Sequence, residues 1–315
     1  MGKTGQTIIN EYFNKAGRGG FGIARLKTHD LVRRPWRTRR RADLCKCKES
    51  GVDGREKMNA DAYLNRIGLG REQLGTDATG LRILQRSHLL AVPFENLDIH
   101  WKRPIVIDTA KFYDKIVGEK RGGFCYELNG TFNELLVSLG FRTLLVSARV
   151  FNGTAHGPEY DHAAIIVTID DEEYLADVGF GDFTAEPLRF VLDEEQQDAA
   201  GVFVLRRFDE EYLEVAKQDE DGWKSQYMFK DIARELSEFA EMCDFQQYSP
   251  ESHFTKGKVC SLMTENGRKT LTDKAFIVTF DGERTEVPVG SEEEFEQILK
   301  REFGISRTEV RATSI

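Results

Sequence analysis

The apolar residues of this chain change their period at Gly140, and that change limits the folds open to it. Between Met58 and Gly140 they recur at helical spacing: Leu81, Leu84, Leu89 and Leu90 ahead of Pro93, then Leu128, Phe132, Leu135, Leu136 and Leu139 ahead of a glycine stop. "MNADAYLNRIGL" reads as a further short amphipathic helix, and Asp108 stands where it can cap "TAKFYDKIV". Past Gly140 the segments "RTLLVSARVF", "HAAIIVTI", "EYLADVGF", "GVFVLRRF" and "EEYLEVAK" are rich in β-branched and aromatic residues, with acidic or glycine turns between them. Short connections between strands mean antiparallel pairing and a barrel or strongly curled sheet. Near the end, "FIVTFDGERTEVPV" predicts a hairpin around Asp281-Gly282, and "SEEEFEQILKREFG" a helix begun by Ser291 and Glu294 and stopped by Gly304. Helices and strands that come in blocks make an α+β protein. The expected parts are a helical bundle over 58–140, an antiparallel β-barrel over 141–247 and an α/β lid over 248–315.

With 315 residues the chain exceeds one ordinary core, and its mean hydropathy of -0.46 is that of a globular protein in water. No apolar run approaches the roughly 18 residues a membrane span needs, and the first residues lack an apolar leader, so the expected address is the cytoplasm. The five cysteines are odd in number and irregularly spaced, which suits free thiols in a reducing compartment. Cys45 and Cys47 form a lone C-x-C with no second pair beside it, so no metal site is expected.

The net charge of -9 conceals an asymmetry, because residues 1–57 hold 15 basic against 6 acidic residues and stand at +9, leaving -18 for the rest. This stretch, with "RRPWRTRRR" at 33–41, reads as a solvated, disordered basic extension. It alone could touch nucleic acid; the acidic body argues against nucleic acid as the main partner. "GRGGFG" at 17–22 fits a dinucleotide-loop pattern but has no strand before it and no βαβ unit after it.

"RGGFCYELNG", residues 121–130, nearly repeats that string with Cys125 added, so the arginine, glycines and phenylalanine are not the signal by themselves. What distinguishes Cys125 is its place in the first turn of a predicted helix. There the unpaired N–H groups and the helix dipole favour a thiolate, and Arg121 adds positive charge nearby. The competing reading is a buried cysteine serving as a small hydrophobe.

A thiol nucleophile needs a base, and the base an orienting group. His156 lies in the solvated-looking loop "NGTAHGPEY", whereas His162 opens the apolar strand "AAIIVTI" at a sheet rim. The next segment, "EYLADVGFG", sets Asp177 among Leu175, Ala176, Val178 and Phe180, where an unpaired carboxylate would be costly. A hairpin through Asp170 and Asp171 brings His162 and Asp177 within a couple of residues of facing each other. Cys125, His162 and Asp177 together suit acyl transfer.

Four motifs, "RGGFCYELN", "VPFENL" (92–97), "DHAAIIV" and "YLADVGFG", in this order and with these gaps, resemble the arylamine N-acetyltransferases from about Met58 to "KREFGI". The resemblance implies a helical bundle, a β-barrel and an α/β lid around a Cys-His-Asp core like that of cysteine proteases. It implies acetyl-CoA as co-substrate with no bound cofactor, and small arylamines or hydrazines as acceptors. It maps the nucleophile onto Cys125, the base onto His162 and the orienting acid onto Asp177, and it sets Phe94 and Phe124 at the acceptor cleft. Glu95 and Arg121 are expected to form a structural salt bridge beside the site. Residues 1–57 precede the usual start of the family. Other outcomes for the same triad are a cysteine hydrolase or peptidase, or an amide synthase acting on carrier-bound polyketides.

Overall fold

The computed structural model describes residues 58–307. The basic extension, with Cys45, Cys47 and the glycine-rich string at 17–22, lies outside the described residues.

The helical part begins with α1 (Ala60–Arg66) and α2 (Ala78–Ala91). Asp77 caps α2 by accepting from the Gly80 N–H at 2.8 Å, and Pro93 follows the helix end. After β1 (Phe94–Glu95) come α3 (Leu97–Trp101) and α4 (Thr109–Tyr113), whose cap Asp108 accepts from the Ala110 N–H at 2.9 Å. The chain then runs through one wide π turn, Asp114–Gly118, to α5 (Cys125–Ser138). Leu128, Phe132, Leu135 and Leu136 of α5 are fully buried in one core with Tyr63, Leu64, Leu81 and Leu84. Gly140, at φ +97°, supplies the left-handed turn that ends the helix.

The next eight strands form one antiparallel sheet: β2 (Arg142–Val150), β3 (His162–Ile169), β4 (Glu172–Ala176), β5 (Leu188–Arg189), β6 (Glu195–Asp198), β7 (Gly201–Arg207), β8 (Leu213–Asp219) and β9 (Gly222–Phe229). Their order is β5-β4-β3-β2-β9-β8-β7-β6. The two edges of this sheet meet. The side chain of Gln196 on β6 accepts from the Arg189 N–H on β5 at 2.7 Å and donates to the Arg189 carbonyl at 2.9 Å. The sheet is therefore a nearly closed barrel. Its interior holds Val146, Ile166, Phe203, Leu205, Tyr227 and Phe229.

Helix α6 (Ala240–Tyr248) leads to a second antiparallel sheet, in the order β1-β10-β11-β12-β13. Its later strands are β10 (Val259–Thr264), β11 (Gly267–Thr272), β12 (Ala275–Phe280) and β13 (Glu283–Pro288). Helix α7 (Glu292–Phe303) buries Phe295, Ile298 and Leu299 against Leu271 and Cys260 of this sheet. Ser291 caps it, and Gly304 ends it at φ +69°. One strand of this sheet, β1, comes from the helical part, where Phe94 pairs with Ser261 and Glu95 with Cys260.

One sequence expectation needs correcting. "EYLADVGF" was expected to run as a strand through Asp177, but β4 ends at Ala176. The Asp177 carboxylate accepts from the Gly179 N–H two residues on at 2.9 Å, which turns the chain out of the ladder.

Candidate active site

The glycine pair before Cys125 exists because another piece of backbone lies against it. The Gly123 N–H donates to the Pro93 carbonyl at 3.3 Å, and the Glu95 N–H to the Gly123 carbonyl at 2.8 Å. A Cβ on Gly122 would stand 1.9 Å from the Pro93 oxygen, so no other residue fits there without moving "VPFE". The two motifs thus build one local structure, and it delivers Phe124 and Cys125 to the start of α5.

Beneath it lies a buried cluster of three carboxylates and two cations. Arg121 meets Glu95 at 2.6 Å and Asp98 at 2.5 Å, while Lys115 meets Asp98 and Glu127 at 2.8 Å each. Glu127 also accepts from the Phe124 N–H at 3.1 Å, which caps α5 at the residue before Cys125. With acid in excess, burial pushes the Glu127 carboxyl up to about 7 against the pull of Lys115.

Cys125 is 4 % exposed at the first position of α5. Burial drives its thiol well above the ordinary range, and Asp161, Asp177 and Cys243 push the same way, against a backbone hydrogen bond from Ala163. The thiolate expected from the helix start is therefore outweighed in this cavity.

His162, at the first position of β3, is buried, and its Nε2 lies 2.7 Å from Asp177 Oδ2. Ile165 pairs with Ala176, a register that sets His162 opposite position 179, two residues beyond Asp177. The turn after Ala176 closes that gap. The His162 ring is held by Phe180 at 5.3 Å, edge to face, and by Tyr227 at 5.4 Å. With Nε2 committed to Asp177, Nδ1 is the ring nitrogen left to meet a thiol.

Asn129, one turn after Cys125 on α5, was not anticipated. Its Nδ2 donates to Asp177 Oδ1 at 2.8 Å and to the Ala163 carbonyl at 2.6 Å, and its Oδ1 accepts from the Val178 N–H at 2.9 Å. The sequence did carry a signal: a polar residue at i+4 from the cysteine, on the apolar face of a helix, must find partners.

Cys125 and His162 line one cavity of about 200 Å³, whose apolar walls include Phe94, Phe180, Phe245 and Phe254. It adjoins a wider cleft of about 1090 Å³ between the barrel and the second sheet, with Phe94, Phe180 and Phe254 among the walls they share. Phe94 is in the wall of both. Phe124 is not: it is fully buried behind the wall, edge-on to Tyr126 at 5.0 Å and to Phe254 at 5.9 Å. His156 does not itself line the cavity: it stands behind two of its lining residues, with Nε2 2.9 Å from Ser225 Oγ and its ring against Phe151, and it also packs on Phe208.

A family profile described as N-acetyltransferase matches residues 77–311. The pineal gland arylamine N-acetyltransferase isozyme NAT-10 of Gallus gallus is 31% identical over 277 residues, covering 79% of this chain and 94% of that one. Arylamine N-acetyltransferase / N-hydroxyarylamine O-acetyltransferase of Salmonella typhimurium is 32% identical over 235 residues, 73% of this chain and 83% of its own. Among solved structures, the Salmonella typhimurium arylamine N-acetyltransferase superposes with a TM-score of 0.76 at 27% identity, covering 82% of this chain and 96% of that one. The Mycobacterium marinum enzyme in complex with CoA does so with 0.70 at 28% identity, over 78% and 92%. Sequence and fold agree over the same residues that build the cavity, and the chain belongs to the arylamine N-acetyltransferase family.

Proposed function

We propose that this acyltransferase moves an acetyl group from acetyl-CoA to an arylamine or arylhydrazine through a thioester on Cys125. One observation carries the assignment of residues. The thiol at the start of α5 shares its cavity with His162, whose far ring nitrogen is held by Asp177 at 2.7 Å.

The steps follow from that geometry. The Cys125 proton passes to His162 Nδ1, and Asp177 stabilises the imidazolium through Nε2–H. Ion-pair formation replaces an isolated buried thiolate, which the cavity disfavours. The sulfur attacks the acetyl carbonyl, CoA leaves as its thiol with the proton from His162, and the acetyl group remains on Cys125. An arylamine then enters beside Phe94, attacks the thioester and gives its proton to His162 as the Cys125 sulfur departs. The N–H groups of Cys125 and Tyr126, in a helix turn with no preceding carbonyl to bond, are placed to hold the oxyanion. The small cavity shields the thioester from water. The wider cleft supplies the route for the bulk of CoA; Lys217, Lys224 and Arg284 stand on it as partners for phosphates.

A reducing cytoplasm is the proposed setting, supported by Cys125, Cys243 and Cys260, all free and buried. No helix among the described residues is long and apolar enough to cross a membrane.

The test is the mass of the intact protein after brief mixing with acetyl-CoA. One acetyl group is expected on the Cys125 peptide, with none on a Cys125→Ser variant and with discharge on adding an arylamine. Release of CoA without any added amine, at the same rate, would instead mean hydrolysis.

A further inference from the structure

The acetyl-accepting cavity has a charge pattern of its own. Among the described residues that line it there is no lysine or arginine, yet it includes Asp161, Asp182 and Glu251. These carboxylates differ in their surroundings. Asp182 lies 3.6 Å from the Arg268 guanidinium, and Glu251 is at the exposed rim. Asp161 sits deeper, directly beside His162, and its backbone carbonyl accepts from the Cys125 thiol at 4.0 Å.

The partners of the Asp161 carboxylate are neutral. Gln246 Nε2 donates to Oδ1 at 2.8 Å, and Gln246 is itself oriented by Ser252, whose hydroxyl donates to Gln246 Oε1 at 2.6 Å. The other oxygen lies close over Gly157, where a Cβ would come within 2.4 Å of it, and a backbone hydrogen bond from Val150 completes the set. Burial raises this carboxyl to about 6, against the pull of His162 and of its two hydrogen bonds. Both of its hydrogen bonds come from N–H donors, which suit the carboxylate form. Two hydrogen bonds therefore hold a carboxylate at the wall of the space an acceptor ring must enter, and no lysine or arginine among the described lining residues offsets it.

We propose that Asp161 makes acetyl acceptance charge-selective: the site takes aromatic amines and hydrazides that are neutral or carry a cationic or N–H-donating ring substituent, and rejects those that carry a carboxylate. A carboxylate on the acceptor meets a like charge in an enclosed apolar cavity, whereas an amide, hydrazide or amidine can donate to Asp161. This inference rests on the acyl-transfer reading above and narrows its acceptor class.

The test uses the full chain with saturating acetyl-CoA at pH 7.5 and three acceptors of nearly one shape: 4-aminobenzamide, 4-aminobenzamidine and 4-aminobenzoate. The carboxylate is the least electron-withdrawing of the three substituents, so nucleophilicity alone would favour the benzoate. For charges roughly 8 Å apart at an effective dielectric constant of about 20, the benzoate should be worse than the amide by about 30-fold in kcat/KM. Asp161→Asn keeps the shape and the bond from Gln246 and should shrink that ratio about ten-fold, whatever it does to the rate on the amide; Asp161→Ser serves if the Asn variant does not fold. Equal or better use of the benzoate by the native protein overturns the proposal while leaving acyl transfer intact. A ratio unchanged by removing the Asp161 charge overturns it as well. Absence of both acetyl-enzyme and acetylated amide would sink the acyl-transfer reading, and this inference with it.

Discussion

Asn129 donates to the oxygen of Asp177 that His162 does not use. At 2.8 Å on one side and 2.7 Å on the other, the carboxylate is gripped between the helix that carries the thiol and the strand that carries the imidazole. The pair ties the position of the Cys125 thiol to that of the His162 imidazole, because Asn129 and Cys125 are on one face of α5.

Replacing Asn129 by Ala leaves Asp177 short of a donor and strands the buried Val178 N–H and Ala163 carbonyl. A stability loss of about 2–3 kcal/mol is expected by urea unfolding. Among molecules that remain folded, formation of the acetyl-enzyme should slow about 100-fold, with its pH profile displaced because the His162–Asp177 pair is loosened. Unaltered acylation in folded protein would contradict the positioning role.

Asp177→Asn preserves the shape of the side chain but can present an N–H to His162 Nε2, forcing the proton onto Nδ1, where the thiol must deliver its own. In a related triad this exchange costs about 10⁴ in rate. A fall of at least about 10³ in acylation by acetyl-CoA is expected, read by rapid-quench mass spectrometry. His156→Ala, which removes a ring that stands behind the cavity wall and bonds neither Cys125 nor Asp177, should change it far less, within about two-fold.

Gly179 tests the contact between the turn and the helix. A Cβ there would come 2.9 Å from the Cys125 Cα and 2.7 Å from Asn129 Nδ2. Gly179→Ala must push the start of α5 away from the turn, and a displacement near 1 Å is enough to cost about 100-fold in rate. The expected signature is a large loss of kcat with a melting temperature lowered by only a few degrees.

His88 gives the fold an acid limit unrelated to the reaction. It is fully buried, its Nδ1 is 2.9 Å from the Tyr63 hydroxyl, and burial, helped by Arg66, holds it down at about 3. The unfolded chain therefore binds a proton near pH 6.5 that the folded chain refuses until about pH 3, so stability is complete above 6.5 and falls through that window. The loss at pH 5 should be about 2 kcal/mol. His88→Gln, which can still bond Tyr63 but does not titrate, should flatten this part of the stability–pH curve. Identical curves for both proteins would remove His88 as the cause.

Much of this was legible in the sequence for physical reasons that can be named. Helix α7, with a serine cap and a glycine stop, and α5, with apolar residues at helical spacing and a glycine stop, carry their own boundaries, and β3 is apolar over most of its length. Strands β9, β10 and β11 escaped notice because their polar residues face partners that exist only in three dimensions: Ser261 and Thr270, for example, are buried against each other at 2.7 Å. Phe124 was misplaced for a related reason. An aromatic beside a nucleophile looks alike in sequence whether it faces the cavity or backs its wall, and the deciding contact, Phe254, lies 130 positions away. Asp161 went unread because its meaning comes from Gln246, Ser252 and Gly157, residues ordinary in isolation.

The two-residue strand β1 has a consequence for traffic through the site. Phe94 walls both cavities, its neighbour Glu95 is anchored through Arg121 to the bundle, and both residues are laddered to β10 of the second sheet. Swinging that sheet outward as a door would tear the ladder and expose a buried ion pair, an expensive motion to repeat in every turnover. Reactants must therefore come and go through a standing doorway, and the clearance left between fixed aromatic jambs, rather than the timing of any hinge, sets the largest molecule that can reach the sulfur.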